Sequence, residues 1–236
     1  MEPVLLGLLW YIVFINSIVF HEFAHGFISL KLGDRTAHDN GLVTLIPYSH
    51  MRREILGTIV IPIASFILGG WMIGWASTPY DYHWAQRYPK RSALVAISGP
   101  LANLVLVVIS GLIVHVGYRT NIFYAPNTID YSWITGLTQN GDSNPIITIL
   151  SIIFSLNLIL FVLNLLPVPP FDGSKIILFF LDQQHVAKAM DILSNPMLSL
   201  VGVIIMFSVF GFIFHPIWLE SVSLLYPGIR YYSVGG

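Results

Sequence analysis

Long stretches without Asp, Glu, Lys or Arg set the pattern of this chain. They are residues 3–21, 55–80, 92–118, 143–171 and 192–219. Each reaches about the 20 residues that a helix needs to cross the hydrocarbon core of a bilayer. The pattern therefore predicts an all-α integral membrane protein with four to five transmembrane helices.

The composition supports a membrane protein and excludes other classes. Hydrophobic residues make up 55% of the chain and charged residues 10%, against about 25% charged residues in an average globular domain. A disordered chain would show the opposite balance. With 11 Lys and Arg against 12 Asp and Glu, the chain has no basic stripe for nucleic acid. The absence of cysteine excludes disulfides and thiolate metal sites.

The first apolar stretch does not have the features of a removable signal peptide. A signal peptide has a basic start, a short apolar core and a cleavage site with small residues. Here the one early charge is Glu2, and the stretch continues directly into His21. We therefore expect residues 3–30 to form a retained membrane helix.

The positive charges of the connecting segments indicate an unusual path for residues 55–80. Lys and Arg cluster in segments 31–53 and 77–91, whereas segment 119–142 contains only Arg119. The positive-inside rule places the first two segments in the cytoplasm and the third outside. A single crossing cannot return to its starting side, and residues 55–80 contain a proline and paired glycines that suit a bend. We therefore expect a re-entrant hairpin; the alternative is a plain crossing helix.

An H-E-x-x-H motif at residues 21–25 carries the clearest chemistry. On a helix, positions i and i+4 share a face, so that His21 and His25 can bind one zinc ion. Glu22 lies about 100° around the helix, where it could take a proton from an activated water molecule and pass it to a leaving amine.

Two alternatives compete with the catalytic interpretation of this motif. The match could be accidental, or Glu22 could simply face water at the membrane boundary. An acidic residue inside a membrane helix costs about 2.5–3.5 kcal/mol on insertion scales. A chain with so few charges is therefore expected to use Glu22.

A third metal ligand must come from elsewhere, because catalytic zinc usually takes three protein ligands and water. Candidate carboxylates are those of Glu54, Asp81, Asp172, Asp182 and Asp191. Asp172 stands out because prolines end the apolar stretch before it and a glycine follows it, which can hold a carboxylate rigidly at the membrane boundary. The alternative is that Asp172 caps a helix. Spacing alone leaves both roles open.

Three segments together resemble the site-2 protease family of intramembrane zinc metalloproteases, peptidase family M50. They are His-Glu-Phe-Ala-His at 21–25, Ser-Gly-Pro-Leu-Ala-Asn at 98–103, and Asn-Leu-Leu-Pro at 164–167 with Asp-Gly at 172–173. The resemblance extends from about residue 15 to residue 180. No PDZ-like or CBS-like insert is evident, so the chain resembles the minimal prokaryotic type.

The resemblance implies roles for particular residues. His21, His25 and Asp172 would bind one zinc ion per chain, and Glu22 would be the catalytic carboxylate. Asn164 would lie at the active site and bind the substrate strand or the oxyanion, and Asn103 would flank the substrate path.

The sequence also departs from the family pattern. Gly-Trp-Ala at 74–76, followed by Pro79, is similar to a Gly-Trp-Ala-Lys-Pro stretch of small members, but Ser77 and Thr78 stand where lysine is usual. His-Met-Arg-Arg stands at 50–53, where His-Ile-Asp-Pro is expected. His50 has no partner at ligand spacing, and we expect it at an interface or surface.

Residues 41–47 predict a short β element near the active site. They are rich in apolar and β-branched residues and end at Pro47. An exposed strand edge could recruit an extended substrate by β-addition. The alternative is a packed loop, because short β-rich runs are ambiguous.

These expectations combine into one membrane-embedded metalloprotease domain over residues 1–236, with a core at 3–181 and a peripheral C-terminal helix at 192–219. The protein is expected to be multi-pass in the cell membrane, with the active site toward the cytoplasm. It would hydrolyse peptide bonds within or next to transmembrane segments of protein substrates in the lipid bilayer. The three motifs can meet at one face of the membrane only if residues 55–80 do not cross the bilayer. A metal transporter and a non-catalytic scaffold of protease ancestry are the alternatives.

Overall fold

The computed structural model describes residues 2–138 and 144–232, which are mainly helical. In chain order the elements are α1 (Pro3–Leu32), α2 (Thr36–Asp39), α3 (Pro47–Arg53), a π-helix (Leu56–Val60), α4 (Ile61–Gly69), α5 (Tyr82–Arg87), α6 (Pro89–Arg119), β1 (Phe123–Tyr124), β2 (Gly136–Leu137), α7 (Pro145–Asn164), a 3₁₀-helix (Asp172–Phe179), α8 (Gln183–Leu193) and α9 (Pro196–Ser223). Among the described residues, α1, α6, α7 and α9 are long and apolar enough to cross a membrane. The predicted all-α, multi-pass membrane fold is confirmed.

Residues 55–80 form a hairpin, as predicted, and not a single crossing. The π-helix and α4 make one continuous apolar arm over Leu56–Gly69, which ends at Gly70 with a left-handed φ of 75°. The chain then returns over residues 70–80 without regular secondary structure. The Trp75 N–H donates to the Gly57 carbonyl at 3.0 Å, so the returning chain reaches the level at which the arm began. We call residues 70–80 the return segment.

The predicted strand at residues 41–47 is wrong. These residues form a loop, and Pro47 begins α3. No neighbouring strand lies there to pair with them in the described residues; the two-stranded antiparallel sheet joins β1 to β2 between α6 and α7. The loop is instead fixed by His50, whose Nε2 lies 3.0 Å from the Thr44 carbonyl oxygen. His50 is fully buried and anchors the loop from inside, so the prediction that it lies at an interface or surface is wrong.

Helices α1 and α6 run antiparallel and bring two of the sequence motifs together. His21 pairs with Asn103 at 2.6 Å, and further along α1 the Leu32 carbonyl accepts a hydrogen bond from Arg91 at 3.0 Å. The two positively charged segments also lie at one end of the molecule, because Asp34 accepts a hydrogen bond from the Asp81 N–H at 3.0 Å. Segments 31–53 and 77–91 therefore share a face, as the charge pattern predicted.

Helix α7 runs parallel to α1, and α9 returns antiparallel to α7. Asn157 of α7 donates to Ser17 of α1 at 2.9 Å, and Trp218 of α9 donates to Ser155 at 3.1 Å. The apolar stretch of α7 is 67% buried and that of α9 is 17% buried. Helix α7 thus lies in the centre of the bundle, and α9 exposes most of its side chains along the outside.

Candidate metal centre and active site

Helix α1 presents the H-E-x-x-H residues on the inside of the bundle. His21, Glu22 and His25 are 6%, 5% and 8% exposed. Ligand atoms of these three residues lie within 4.8 Å of one another. The helical spacing therefore produces the clustering that the sequence predicted.

Asp172 completes the cluster from the start of the 3₁₀-helix that follows α7. Its Oδ2 lies 3.1 Å from Nε2 of His21 and 3.1 Å from Nε2 of His25, and the two Nε2 atoms are 3.0 Å apart. We call these three atoms the donor triangle. The N-cap position of the 3₁₀-helix is occupied by Phe171, and Asp172 is the first residue of that helix, which contradicts the capping alternative. Gly173 lets the chain turn there, since a Cβ would overlap the Leu165 carbonyl.

Of the other four candidate carboxylates, three bond elsewhere, and the fourth belongs to Asp182 at the start of α8. Asp81 caps α5 by accepting from the backbone N–H groups of His83 and Trp84. Asp191 accepts a hydrogen bond from the Tyr82 hydroxyl at 2.6 Å, and Glu54 accepts one from Ser77 at 2.5 Å. Of these acidic residues and Asp172, the donor triangle includes only Asp172.

A backbone carbonyl orients the His25 ring. Nδ1 of His25 lies 2.8 Å from the Val95 carbonyl oxygen, and a carbonyl can only accept a hydrogen bond. Nδ1 therefore carries the proton. In the neutral ring this leaves a lone pair on Nε2, which points into the donor triangle.

A chain of side-chain amides orients His21 in the same way. Asn157 uses its NH₂ group to donate to Ser17 Oγ and to the Ile153 carbonyl, so its Oδ1 accepts from Asn103 Nδ2 at 2.8 Å. Asn103 Oδ1 is then the acceptor for His21 Nδ1 at 2.6 Å. The direction of this chain leaves a lone pair on His21 Nε2. Asn103 and Asn157 are both 0% exposed.

The donor triangle therefore gathers three electron-pair donors at one point. Burial alone would raise the pKa of Asp172, but a proton on the adjacent His25 or His21 ring outweighs that effect and holds the pKa below its ordinary value, so that this carboxyl group is ionised when a ring carries the proton. A proton could bridge only two of the three atoms, whereas a metal ion can accept all three lone pairs. Two imidazoles and a carboxylate are a usual ligand set for zinc.

The size of the site also fits a zinc ion. In a tetrahedron, zinc bonds of 2.0–2.1 Å place the ligand atoms about 3.3–3.4 Å apart, close to the 3.0, 3.1 and 3.1 Å sides of the donor triangle. Helix α6 approaches with Gly99, and a Cβ there would overlap Nε2 of both histidines. The glycine leaves open the space that an ion would fill.

Glu22 has a partner that sequence reasoning missed. The Thr78 hydroxyl donates to Glu22 Oε2 at 2.7 Å. The return segment places Thr78 there, although the two residues are 56 positions apart. The departure from the family's lysine at this place was the one signal in the sequence, and it did not indicate a contact with Glu22.

Two cavities border the site. One of about 250 Å³ has a mixed wall with several polar side chains, among them those of Ser29, Asp34 and Lys175, toward the end of the molecule that carries the basic segments. The other, of about 630 Å³, has largely apolar walls from α7, α9 and the return segment. Glu22 and Asp172 line both cavities.

The two predicted substrate-contacting residues differ in position. Asn164 lies in the wall of the larger cavity together with His21, Glu22 and Asp172, while its Nδ2 donates to the Leu160 carbonyl at 3.0 Å. Asn103 is in the wall of neither cavity. Its described contacts are with His21 and Asn157.

The chain is similar to known proteins over most of its length. A family model described as peptidase family M50 matches residues 9–209. The protein "Putative zinc metalloprotease YwhC" of Bacillus subtilis is 36% identical over 169 residues, which cover 70% of this chain and 66% of that protein. "Putative zinc metalloprotease Rip2" of Mycolicibacterium smegmatis is 28% identical over 159 residues, which cover 66% of this chain and 51% of that protein.

The matched region is thus just under two thirds of YwhC and about half of Rip2. No solved structure matches the chain. The family model, however, spans most of the sequence and includes both histidines, Glu22 and Asp172. The chain belongs to peptidase family M50, the site-2 protease family.

Proposed function

We propose that this protein is an intramembrane zinc endopeptidase that cleaves peptide bonds within or next to transmembrane segments of membrane proteins. The observation that carries the proposal is the donor triangle, with the Glu22 carboxylate beside it, buried among apolar helices of membrane-spanning length. A structural metal site would not require a buried glutamate beside the ligands.

His21, His25 and Asp172 would hold the ion. When bound, zinc would polarise the scissile carbonyl and acidify a water molecule. Glu22 accepts a proton from the attacking water as the new carbon–oxygen bond forms, and it then donates that proton to the leaving nitrogen as the carbon–nitrogen bond breaks. Within the described residues Glu22 Oε1 has no hydrogen-bond partner, which leaves it available for this exchange.

The two cavities suit the two reactants. The smaller cavity, with charged and hydroxyl side chains in its wall, offers a path for water. The larger, apolar cavity fits a locally unwound transmembrane segment, with the Asn164 amide in its wall as a polar contact for the substrate backbone. Because Lys and Arg cluster in the segments at this end of the molecule, the active site would face the cytoplasm.

The test compares wild type with Glu22→Gln in detergent, using a single-span membrane reporter protein as substrate. Wild type is expected to cleave the reporter. The variant is expected to keep its zinc but to lose cleavage by a factor of at least about 100, because proton transfer contributes 10²–10⁴-fold. Equal turnover by both proteins would overturn the role of Glu22.

A further inference from the structure

Thr78 touches the one carboxylate to which the proposed function gives a proton-transfer role. Its Oγ1 lies 2.7 Å from Glu22 Oε2 and 3.1 Å from the Glu22 carbonyl oxygen. Both Thr78 and Glu22 line the smaller cavity. The hydroxyl therefore lies at the active site and does not only join two backbone segments.

The hairpin fixes the position of this hydroxyl. The Trp75 N–H donates to the Gly57 carbonyl three residues before Thr78, and Ser77 donates to Glu54 at 2.5 Å one residue before it. Gly74 packs against Phe14 of α1 so closely that a Cβ there would overlap the ring. The return segment is thus held against the π-helix on one side and against α1 on the other, close to the point where Thr78 contacts Glu22.

We propose that Thr78 is a positioning residue for Glu22, an inference that rests on the proposed function. A glutamate side chain has three rotatable bonds, and proton transfer requires the carboxylate within hydrogen-bond distance of the reacting water. Thr78 holds Oε2 and so fixes the rotamer in which Oε1 remains for the water. A misplacement of about 1 Å in such a group can cost about 100-fold in rate.

The chain offers a matched set of variants for the test. Thr78→Val removes the hydroxyl at nearly constant shape, and Thr78→Ser restores it. The control is Thr120→Val, the same substitution at the far end of α6, where the exposed hydroxyl bonds to the Val116 carbonyl within its own helical turn. The measurements are kcat and KM for the single-span reporter, together with bound zinc per chain.

Thr78→Val is expected to lower kcat by about tenfold or more, with KM and zinc content unchanged. Thr78→Ser is expected to recover most of the wild-type kcat, and Thr120→Val to remain within about twofold of wild type. An unchanged kcat in Thr78→Val, an equal loss in Thr120→Val, or no recovery in Thr78→Ser would overturn the inference and leave the proposed function standing. A wild type that does not cleave the reporter would overturn both.

Discussion

His21 and His25 owe their orientation to groups on the outer side of each ring. The Val95 carbonyl fixes one ring, and the Asn103 amide fixes the other. We therefore assign Asn103 a positioning role for His21 in place of the contact with substrate that the family resemblance implied. The sequence could show that an asparagine lies near the motif, but not that Asn157 and Ser17 would direct its amide.

Asn103→Ala should weaken zinc binding by about 10–100-fold, the usual effect of removing an outer partner of a ligating histidine. Competition with a chelator of known affinity measures the change. Asn16→Ala is the matched control, because Asn16 lies on the same helix as His21 but makes an exposed hydrogen bond within its own turn. The same affinity in both variants would contradict the assignment.

Gly99 provides a test of the space between the two histidines. Gly99→Ala would place a methyl group against both Nε2 atoms, and we expect it to abolish stoichiometric zinc binding. Gly211→Ala adds the same methyl group to another membrane helix where nothing lies within 4 Å, and it should keep its zinc. Elemental analysis of both purified variants measures zinc per chain. Full zinc occupancy in Gly99→Ala would show that the ion binds somewhere other than between His21 and His25.

At the scale of elements, the sequence predicted those structures that depend on the spacing of neighbouring residues. The pairing of His21 with His25 follows from the helical repeat, and the hairpin followed from charge and from its bend residues. The prediction of a strand at 41–47 was wrong because a strand needs a neighbouring strand to pair with, and a local pattern does not show whether one is present. The contact between Thr78 and Glu22 depends on the register in which the return segment packs against the helical arm Leu56–Gly69. No local sequence pattern determines that register.

The hairpin depends on the close approach of Gly57 to Trp75. A Cβ at Gly57 would overlap the Trp75 carbonyl and ring, so Gly57→Ala should destabilise the protein by about 1–3 kcal/mol. Thermal unfolding in detergent measures the loss, with Gly211→Ala as the control for an added methyl group in an open position. A transition temperature equal to that of the control would contradict this packing.

At the scale of the whole molecule, the alternation of α1, α6, α7 and α9 brings three distant motifs to one end. The sequence predicted this alternation of direction, because the motifs could meet at one end only if residues 55–80 did not cross the membrane. It could not predict the depth of the site or the shape of the cavities, since these depend on how α7 and α9 pack around the return segment.

The orientation of the molecule can be tested with single cysteines, because the natural sequence contains none. Arg53→Cys and Lys90→Cys lie in or beside the basic segments, and Thr120→Cys follows α6 at the opposite end. A membrane-impermeant maleimide applied to intact cells should label only the Thr120 variant, and inverted vesicles should reverse the pattern. Labelling of all three variants on one side would contradict the proposed topology.

The central claim is that two histidines of α1 and Asp172 together bind one zinc ion. The most direct test is zinc per chain in the detergent-purified protein, measured for wild type, Asp172→Ala and the control Asp191→Ala, whose carboxylate bonds to Tyr82 away from the site. The account predicts about one zinc per chain in wild type and control, and a large loss in Asp172→Ala. Undiminished zinc in Asp172→Ala would contradict it.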